Sequence, residues 1–458
     1  MGNKIDPSPS RDDPWPYPRY WAACLLVLVA ATERLWFPRG DFPRVPLVAW
    51  AMGRTIAWDW AIGVCLVGAA GLLLAGPTRV RRSAAATLAV ALGLSFLFDQ
   101  HRLQPWAYQS ALVATAVACW DRREARRWLI VLAASIYLYS ASGKIDYQFA
   151  HTVGREFLET AAQPLGGLPA GWDAADTAPL TLLFPTVELL IGIGWLIPPL
   201  RRPAGWAAIG MHGTLLGLLG PWGLGHSAGV LVWNAALVGQ AYWLAIRPDP
   251  MGGTYPPAGS SMSPAESSMK TPASPGQRPD AGSPTGPQAA ASTGRRKTDR
   301  VLAWSARGLF LAALLLPLVE RRGHWDHWPS WALYSPHNSR VTLQIHQSAA
   351  PRLPAGAIAA LAPDRDGDGW RRMDLGAWSL SERGVPIYPQ TRYQLAVAVA
   401  LAETAGLRRE IRAVVRGVSD RRTGRRPGTP LPSADSMRQA LGRYLLVPRG
   451  FPPTPGER

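Results

Sequence analysis

The strongest constraint on this chain is the way its apolar residues are grouped. They form blocks of about 15 to 21 residues, separated by short Arg-rich or Pro-rich breaks, through roughly the first 320 residues. The hydrocarbon core of a bilayer is about 30 Å thick and requires roughly 20 apolar residues of helix, with a lower limit near 17. This part of the chain is therefore predicted to form a multi-pass membrane protein. The pattern excludes a soluble enzyme, and it excludes a transmembrane β-barrel, whose strands would be about ten residues of alternating polarity.

The apolar blocks predict a mainly α-helical membrane protein, a polytopic bundle of about eight or nine transmembrane helices. The first block has an alternative, because Val29–Ala31 resembles a signal-peptide cleavage site. Asp6, Asp12 and Asp13 are unusual in a signal peptide, so we favour an uncleaved helix. The predicted spans are residues 20–37, 56–75, 83–98, 105–120, 127–148, 178–197, 204–222, 226–246 and 301–319.

The distribution of Lys and Arg predicts the orientation of the bundle. Nineteen of these residues lie on the side that holds the N-terminus, whereas the loops between helices on the other side hold six. Cytoplasmic loops carry the excess of Lys and Arg, so the N-terminus is predicted to be cytoplasmic. We expect a bacterial cytoplasmic (inner) membrane protein whose main partner is the lipid bilayer. Topology accounts for the net charge of +17, and we do not expect nucleic-acid binding.

Composition divides the chain into further segments. Residues 249–300 are rich in Pro, Ser, Gly, Ala and Thr, so they cannot bury enough apolar surface to offset their chain entropy and are predicted to be a disordered linker. Short β-branched or alternating runs at 340–346, 373–380, 393–401 and 411–418 predict strands of a small extracytoplasmic β-rich domain. The predicted segments are a tail (1–19), an eight-helix bundle (20–248), the linker (249–300), a ninth helix (301–319) and the β-rich domain (320–458).

A polar stripe runs along the fifth predicted span. Its members are spaced by three or four residues and therefore share one face of a helix. Polar groups in a membrane helix normally face the interior of the bundle or a water-filled cavity. The stripe consists of Tyr137, Ser140, Lys144, Gln148 and His151.

Lys144 stands out because the chain contains 44 Arg and only four Lys, of which the other three lie in the N-terminal tail and the linker. Lys, unlike Arg, can lose its proton when it is desolvated and can then act as a base. The alternative is a snorkelling Lys that marks the outer interface and pairs with Asp146. The residues alone leave both interpretations open.

Glu188 is a second unusual residue, because it lies near the middle of the sixth predicted span. A carboxylate at the centre of a bilayer costs a few kcal/mol on insertion scales, so it should be protonated, paired or hydrated. Pro185, three residues earlier, frees a backbone carbonyl nearby. Glu188 is predicted either to contact a ligand or to form a structural hydrogen bond between helices.

Other polar residues collect towards the predicted outer side. Singly, each is an ordinary interfacial or interhelical hydrogen-bonding residue, but together they predict one polar cavity that opens outward. Lys144, Asp146, Glu188 and His226 are the predicted catalytic residues of this cavity. The predicted ligand-binding residues are Asp99, His101, Arg102, Tyr137, His151, His212 and Asn234.

Two weaker patterns lie in the last third of the chain. His324 and His327 have the spacing of a helical metal-binding pair, but the surrounding Trp residues favour an interfacial aromatic belt, and we predict no metal site there. Asp364, Asp366 and Asp368 copy the first half of a calcium loop, and Leu375 stands where the loop would have Glu. The pattern leaves open a weak calcium site or an acidic turn.

One short motif resembles a known family. The run SGKIDYQF at 142–149 is similar to a motif of the horizontally transferred transmembrane (HTTM) group, which includes vitamin K-dependent γ-carboxylase. The matching residues are Gly143, Lys144, Ile145, Asp146 and Phe149. The turn at 99–108 and the Glu188 helix also look like bacterial DoxX and MauE-like membrane proteins. The resemblance covers about residues 20–250. It implies a helical bundle with an extracytoplasmic domain and a Lys144 base that faces a quinol or a lipid.

Three functions remain open from the sequence. The first is a membrane-embedded enzyme or quinone- or lipid-binding protein that uses Lys144 as a base. The second is a non-catalytic, DoxX-like scaffold or accessory protein with an extracytoplasmic protein partner. The third is a proton-coupled transporter in which Glu188 relays protons, although the spans show no evident duplicated halves.

Overall fold

The fold was determined as a computed structural model. It describes residues 15–52, 56–248, 287–444 and 446, and gives only the backbone at 56 and 287–299. The predicted N-terminal tail lies outside these residues up to residue 14, and its last residues, from Tyr17, belong to the first helix. The predicted linker lies outside them up to residue 286.

Helices make up most of the described chain before residue 316. Every predicted span is helical over most of its length, and the last of these helices begins at Pro287, before the predicted start at 301. The helices are α1 Tyr17–Ala31, α2 Glu33–Trp36, α3 Ile56–Ala75, α4 Arg81–Phe98, α5 Pro105–Cys119, α6 Arg122–Lys144, α7 Tyr147–His151, α8 Val153–Ala162, α9 Ala174–Thr181, α10 Leu183–Leu196, α11 Arg201–Leu219, α12 Ala228–Ala241 and α13 Pro287–Leu315.

Five helical segments of the described chain are long and apolar enough to cross a membrane. A sixth is added if α6 and the helices that follow it, which meet at a bend of 71°, are counted as one span. By length and composition, the described chain thus has five or six candidate spans against the eight or nine predicted. Helices α1 and α5 have 15 residues each, and α11 carries two Arg and a His. Ten residues of α5 are buried inside the bundle, so its composition is set by protein contacts rather than by lipid.

Small residues bring the helices of the bundle together. Gly192 of α10 lies so close to Leu138 and to the carbonyl of Ala134 on α6 that an added Cβ would be 2.8 Å from the Leu138 side chain. Gly205 of α11 makes a similar approach to Ala245. Close backbone packing of this kind is the usual way in which membrane helices associate. It holds α10 against α6 and so places Glu188 opposite Lys144.

The part of the chain from the first strand to the last helix, residues 340–441, is called the C-terminal unit, and it is an α+β fold rather than a β-rich one. Its four strands form an antiparallel sheet with the order β2-β1-β3-β4. The strands are β1 Arg340–His346, β2 Trp370–Met373, β3 Ile411–Arg416 and β4 Gly428–Leu431, and the helices are α14 Ala355–Ala359, α15 Leu375–Arg383, α16 Thr391–Thr404 and α17 Ala434–Leu441.

Two of the four predicted strands are correct, because β1 is residues 340–346 and β3 lies within 411–418. The prediction was wrong for 393–401, which lies inside helix α16, and mostly wrong for 373–380, where α15 begins at Leu375. Eleven residues of α16 are buried, so it has no polar face to reveal a helical period. Its Ala-Val alternation therefore resembled a strand.

The C-terminal unit packs on one end of the bundle. The segments that it contacts through the hydrogen bonds below belong to the side predicted to face outward, and the Arg-rich loops lie at the opposite ends of the same helices. The contacts include hydrogen bonds from Arg34 Nη1 to Ser381 O (2.8 Å), from Arg383 Nη2 to Phe42 O (3.1 Å), from His101 Nε2 to Pro386 O (3.0 Å) and from Arg421 Nε to Ile145 O (2.7 Å).

Candidate functional site

Lys144 and Glu188 form a buried ion pair between α6 and α10. Lys144 Nζ donates hydrogen bonds to Glu188 Oε1 at 2.7 Å, to Glu188 Oε2 at 2.8 Å and to Ser140 Oγ at 2.6 Å. Lys144 is 2% exposed and Glu188 is 8% exposed. The two residues that sequence reasoning found unusual are therefore each other's partner. All three donor positions of the ammonium group are occupied, which offsets the cost of removing both charges from water.

The end of α6 explains the position of Lys144. Lys144 is the last residue of this helix, where the negative end of the helix dipole favours a cation. Asp146 then accepts a hydrogen bond from the Gln148 backbone at 2.8 Å and caps α7, which starts the 71° bend. Gly143 lies against the Ser335 hydroxyl, which an added Cβ would approach to 2.4 Å. The motif at 142–149 is thus a helix end that the C-terminal unit approaches closely.

Asp146 is not the partner of Lys144. Its carboxylate accepts a hydrogen bond from Arg321 Nη2 at 2.9 Å, just after α13. The predicted alternative of a Lys144–Asp146 pair is therefore wrong. Asp146 links the α6 helix end to the last span instead.

Tyr137, His212 and Asn234 form a hydrogen-bonded chain inside the bundle. Tyr137 Oη lies 3.0 Å from His212 Nε2, and His212 Nδ1 lies 3.0 Å from Asn234 Oδ1. Because the Asn oxygen accepts, His212 carries its proton on Nδ1 and receives the Tyr137 hydroxyl at Nε2. Glu188 interacts electrostatically with Tyr137, and Lys144 interacts electrostatically with His212. The hydrogen-bonded series of side chains therefore lies next to the ion pair.

Two residues of the predicted stripe do not join this site. The helix breaks at Ile145 and Asp146, so residues on α7 leave the face that carries Tyr137, Ser140 and Lys144. His151 stacks on Tyr147 at 3.9 Å, and Gln148 donates to the carbonyl of Gly424 at 2.9 Å. Their predicted place beside Lys144 is wrong because the helical period stops at the bend.

A cavity of about 250 Å³ lies between the end of the bundle and the C-terminal unit. Indole and phenol rings form much of its wall. Three buried polar atoms on residues of this wall have no hydrogen-bond partner among the described residues: His226 Nδ1, Ser227 Oγ and Tyr334 Oη. Such atoms are costly unless a ligand or water satisfies them. The aromatic wall consists of Trp106, Trp233, Trp328 and Tyr334.

The cavity and the ion pair are neighbours but not one space. Lys144 and Glu188 are not among the residues that line the cavity. Tyr334 lies on the cavity wall, and burial and then the negative charge of Glu188 raise the pKa of its phenol. Tyr334 therefore keeps its proton at neutral pH and is available as a hydrogen-bond donor. Of the predicted catalytic residues, only His226 lies on the cavity wall.

The turn after α4 belongs to a second buried network, which holds the C-terminal unit to the bundle. Arg102 pairs with Asp59 of α3 at 2.7 Å, and Asp99 lies 3.6 Å from Arg383 of α15. Burial is the main cause that lowers the pKa of His101, to about 4, so its ring is neutral at pH 7. Every one of these side chains has a structural partner, and the ligand-binding role predicted for Asp99, His101 and Arg102 stays a prediction.

The acidic run after residue 363 forms a tight turn. Asp364 accepts hydrogen bonds from the backbone N–H groups of Gly367 and Gly369, each at 2.9 Å, and Asp368 accepts one from Trp370 at 2.9 Å. These bonds match the acidic-turn alternative. The weak calcium site at Asp364, Asp366 and Asp368 stays a prediction.

Sequence reasoning missed one cluster. Glu320, His327 and His337 are all buried, and their nitrogen and oxygen atoms lie within 4.8 Å of one another. The HxxH spacing of His324 and His327 pointed to a metal-binding pair, but of these two residues the cluster contains His327 and not His324. Glu320 lies at the end of the last span and His337 lies ten residues beyond His327, so no local pattern joined the three.

No protein family, curated protein or solved structure matches this chain. The function of the chain is therefore inferred from its fold and from the arrangement of these side chains.

Proposed function

We propose that this multi-pass protein binds a flat, lipid-soluble molecule of the quinone class in the cavity beneath the C-terminal unit. The observation that carries the proposal is the combination of an aromatic wall with three unpartnered polar atoms. Ligand sites are typically apolar pockets with a few convergent polar groups. A quinone ring matches this combination, because it stacks on indole faces and its two oxygens accept hydrogen bonds from Ser227 and Tyr334.

The Lys144–Glu188 pair supplies the proton chemistry in this proposal. A proton that moves from Lys144 to Glu188 leaves a neutral amine and a neutral acid, and the amine is then a base. Tyr334 lies on the cavity wall and close to Glu188, so it connects a bound quinol to the pair. The resemblance of the 142–149 motif to the HTTM group supports the same assignment, since in the vitamin K-dependent carboxylase of that group the matching lysine is the base that deprotonates reduced vitamin K.

Removing one hydroxyl from the cavity wall is expected to weaken quinone binding. Tyr334→Phe and Ser227→Ala each remove one hydrogen bond to the ligand, worth about 0.5–1.5 kcal/mol, so each should raise the Kd of a short-chain naphthoquinone roughly three- to tenfold. The measurement is quenching of tryptophan fluorescence in detergent. Tyr242→Phe is the matched control, because Tyr242 is exposed on the turn after α12 and does not line the cavity. Equal Kd values in all four proteins would contradict the proposal.

We further propose that the N-terminus is cytoplasmic and that the C-terminal unit lies outside. Two observations support this orientation: the Lys and Arg excess on one side, and the packing of the C-terminal unit on the loops of the other side. Alkaline phosphatase fused after residue 458 is expected to be active, and green fluorescent protein fused before residue 1 is expected to fluoresce. An inactive phosphatase fusion that is made in normal amounts would reverse the assignment.

A further inference from the structure

A second site lies where the last membrane helix meets the C-terminal unit. Glu320 follows α13, His327 belongs to the loop after it, and His337 precedes β1. Their exposed fractions are 7%, 3% and 0%. Glu320 Oε1 lies 2.8 Å from His327 Nδ1, and Glu320 Oε2 lies 3.0 Å from His337 Nε2. Three chain segments thus bring two imidazoles and one carboxylate to a single buried point.

We propose that Glu320, His327 and His337 bind one divalent transition-metal ion of the zinc type. Imidazole nitrogen and carboxylate oxygen are borderline ligands that suit such ions, whereas Ca²⁺ and Mg²⁺ prefer oxygen alone. Tetrahedral bonds of about 2.0–2.1 Å place ligand atoms roughly 3.3 Å apart. Measured from one oxygen, Glu320 Oε1, the present separations are 2.8 Å to His327 Nδ1 and 3.2 Å to His337 Nε2, so they need to open by about half an ångström or less. The three ligands leave a fourth position for water or another group.

Metal binding requires only that the ring protons of His327 and His337 move away from the nitrogens that face Glu320, and no added reactant is needed. Both imidazoles now donate their ring N–H to the Glu320 carboxylate, because a carboxylate only accepts. When a metal takes the place of these protons, each neutral ring carries its proton on its other nitrogen. His337 Nδ1 is buried and has no hydrogen-bond partner among the described residues, so it is unoccupied and able to carry that proton.

The backbone between the two histidines gives a second indication. Trp331 and Tyr334 adopt positive φ angles of 57° and 56°, a left-handed conformation that bulky residues rarely take. Such a residue is strained and persists only where its surroundings hold it in place. A metal ion that joins His327 and His337 would hold this loop at both ends. It would also fix Tyr334 on the wall of the cavity.

The charge around the site is compatible with a cation. Arg321 is adjacent to Glu320, but its guanidinium group is neutralised by Asp146 at 2.9 Å. Arg426 contacts the backbone carbonyl of His337 at 3.2 Å rather than its ring. The Glu320 carboxylate is the nearest anion and supplies one of the two charges that the ion needs.

The test is metal binding by the full-length protein in mild detergent after treatment with a chelator. We expect the wild-type protein to take up one Zn²⁺ per chain, to raise its unfolding temperature on binding, and to give the visible absorption of tetrahedral Co²⁺ when Co²⁺ replaces zinc. His327→Asn, His337→Asn and Glu320→Gln should each weaken Zn²⁺ binding by more than the roughly 10–100-fold that loss of an outer-shell group costs.

His324→Asn is the matched control, because His324 is an exposed histidine three residues from His327. This variant should bind Zn²⁺ as the wild type does. A wild-type protein that takes up no zinc after chelation would overturn the proposal. So would His327→Asn and His337→Asn proteins that bind with wild-type affinity, since the bound zinc would then lie on surface groups. The wild-type shift in unfolding temperature tests the site even if a variant fails to fold.

Discussion

Replacing Lys144 by Met is expected to lower the free energy of unfolding by about 3–5 kcal/mol, and replacing Glu188 by Leu is expected to do the same. Each single change leaves the other charge buried without its partner, at 8% exposure for Glu188 and 2% for Lys144. The double variant should recover most of the loss, because an apolar pair of similar volume has no charge to desolvate. The measurement is a double-mutant cycle from chemical unfolding in detergent.

A matched control for this cycle is the exposed pair Arg155–Glu159, whose side chains are 38% and 47% exposed. Arg155→Met and Glu159→Leu should each change stability by less than about 1 kcal/mol, because water and salt screen such pairs. A Lys144–Glu188 coupling as small as that of the control would mean that water reaches the pair. Under the proposed function, the double variant should still bind the naphthoquinone. It should no longer accept a proton from a bound quinol, because both Lys144 and Glu188 are gone.

Replacing Asp326 by Asn is expected to lower the stability of the C-terminal unit by about 3–5 kcal/mol. Asp326 pairs with both terminal nitrogens of Arg392, and it accepts hydrogen bonds from Tyr388 at 2.6 Å and from Gln390 at 3.1 Å. The variant leaves the buried Arg392 guanidinium without its anion. Because Trp328 and Pro386 line the cavity and adjoin this cluster in sequence, naphthoquinone binding should weaken as well.

Asp435→Asn is the control for this second change, because Asp435 also pairs with an Arg but its side chain is 81% exposed. It should shift the unfolding temperature little, since exposed pairs contribute about 0–1 kcal/mol. Unfolding of the C-terminal unit can be followed by limited proteolysis of the full-length protein. A loss of less than about 1 kcal/mol for Asp326→Asn would contradict the structural role of the cluster.

The fold was predicted where it depends on local pattern. All predicted spans are helical, and β1 coincides with the predicted run at 340–346. By length and composition, only five or six helical segments of the described chain qualify as membrane spans, because an apolar block records burial, whether in lipid or in protein. Helix α5 is an example, since its apolar residues are mostly covered by the bundle. For the same reason α16 resembled a strand, because a helix buried on all sides shows no period.

The candidate site was predicted only in its unusual residues. Lys144 and Glu188 were recognised because placing a charged side chain in an apolar helix costs free energy. That free-energy cost depends on the residue and its immediate neighbours in the sequence. Their pairing spans 44 positions and depends on how α10 packs against α6. The sequence offered Asp146 as the partner of Lys144, because Asp146 is close along the chain.

The helical blocks, the candidate membrane spans, the alternation of basic loops and the two unusual charges in apolar helices could be predicted from the amino-acid sequence, because they follow from composition and spacing within about 20 residues. Three features became visible in the three-dimensional packing: the pairing of Lys144 with Glu188, the aromatic-walled cavity beneath the C-terminal unit, and the convergence of Glu320, His327 and His337. Such contacts join distant segments. They arise from the packing of whole helices and loops, which no local period or composition encodes.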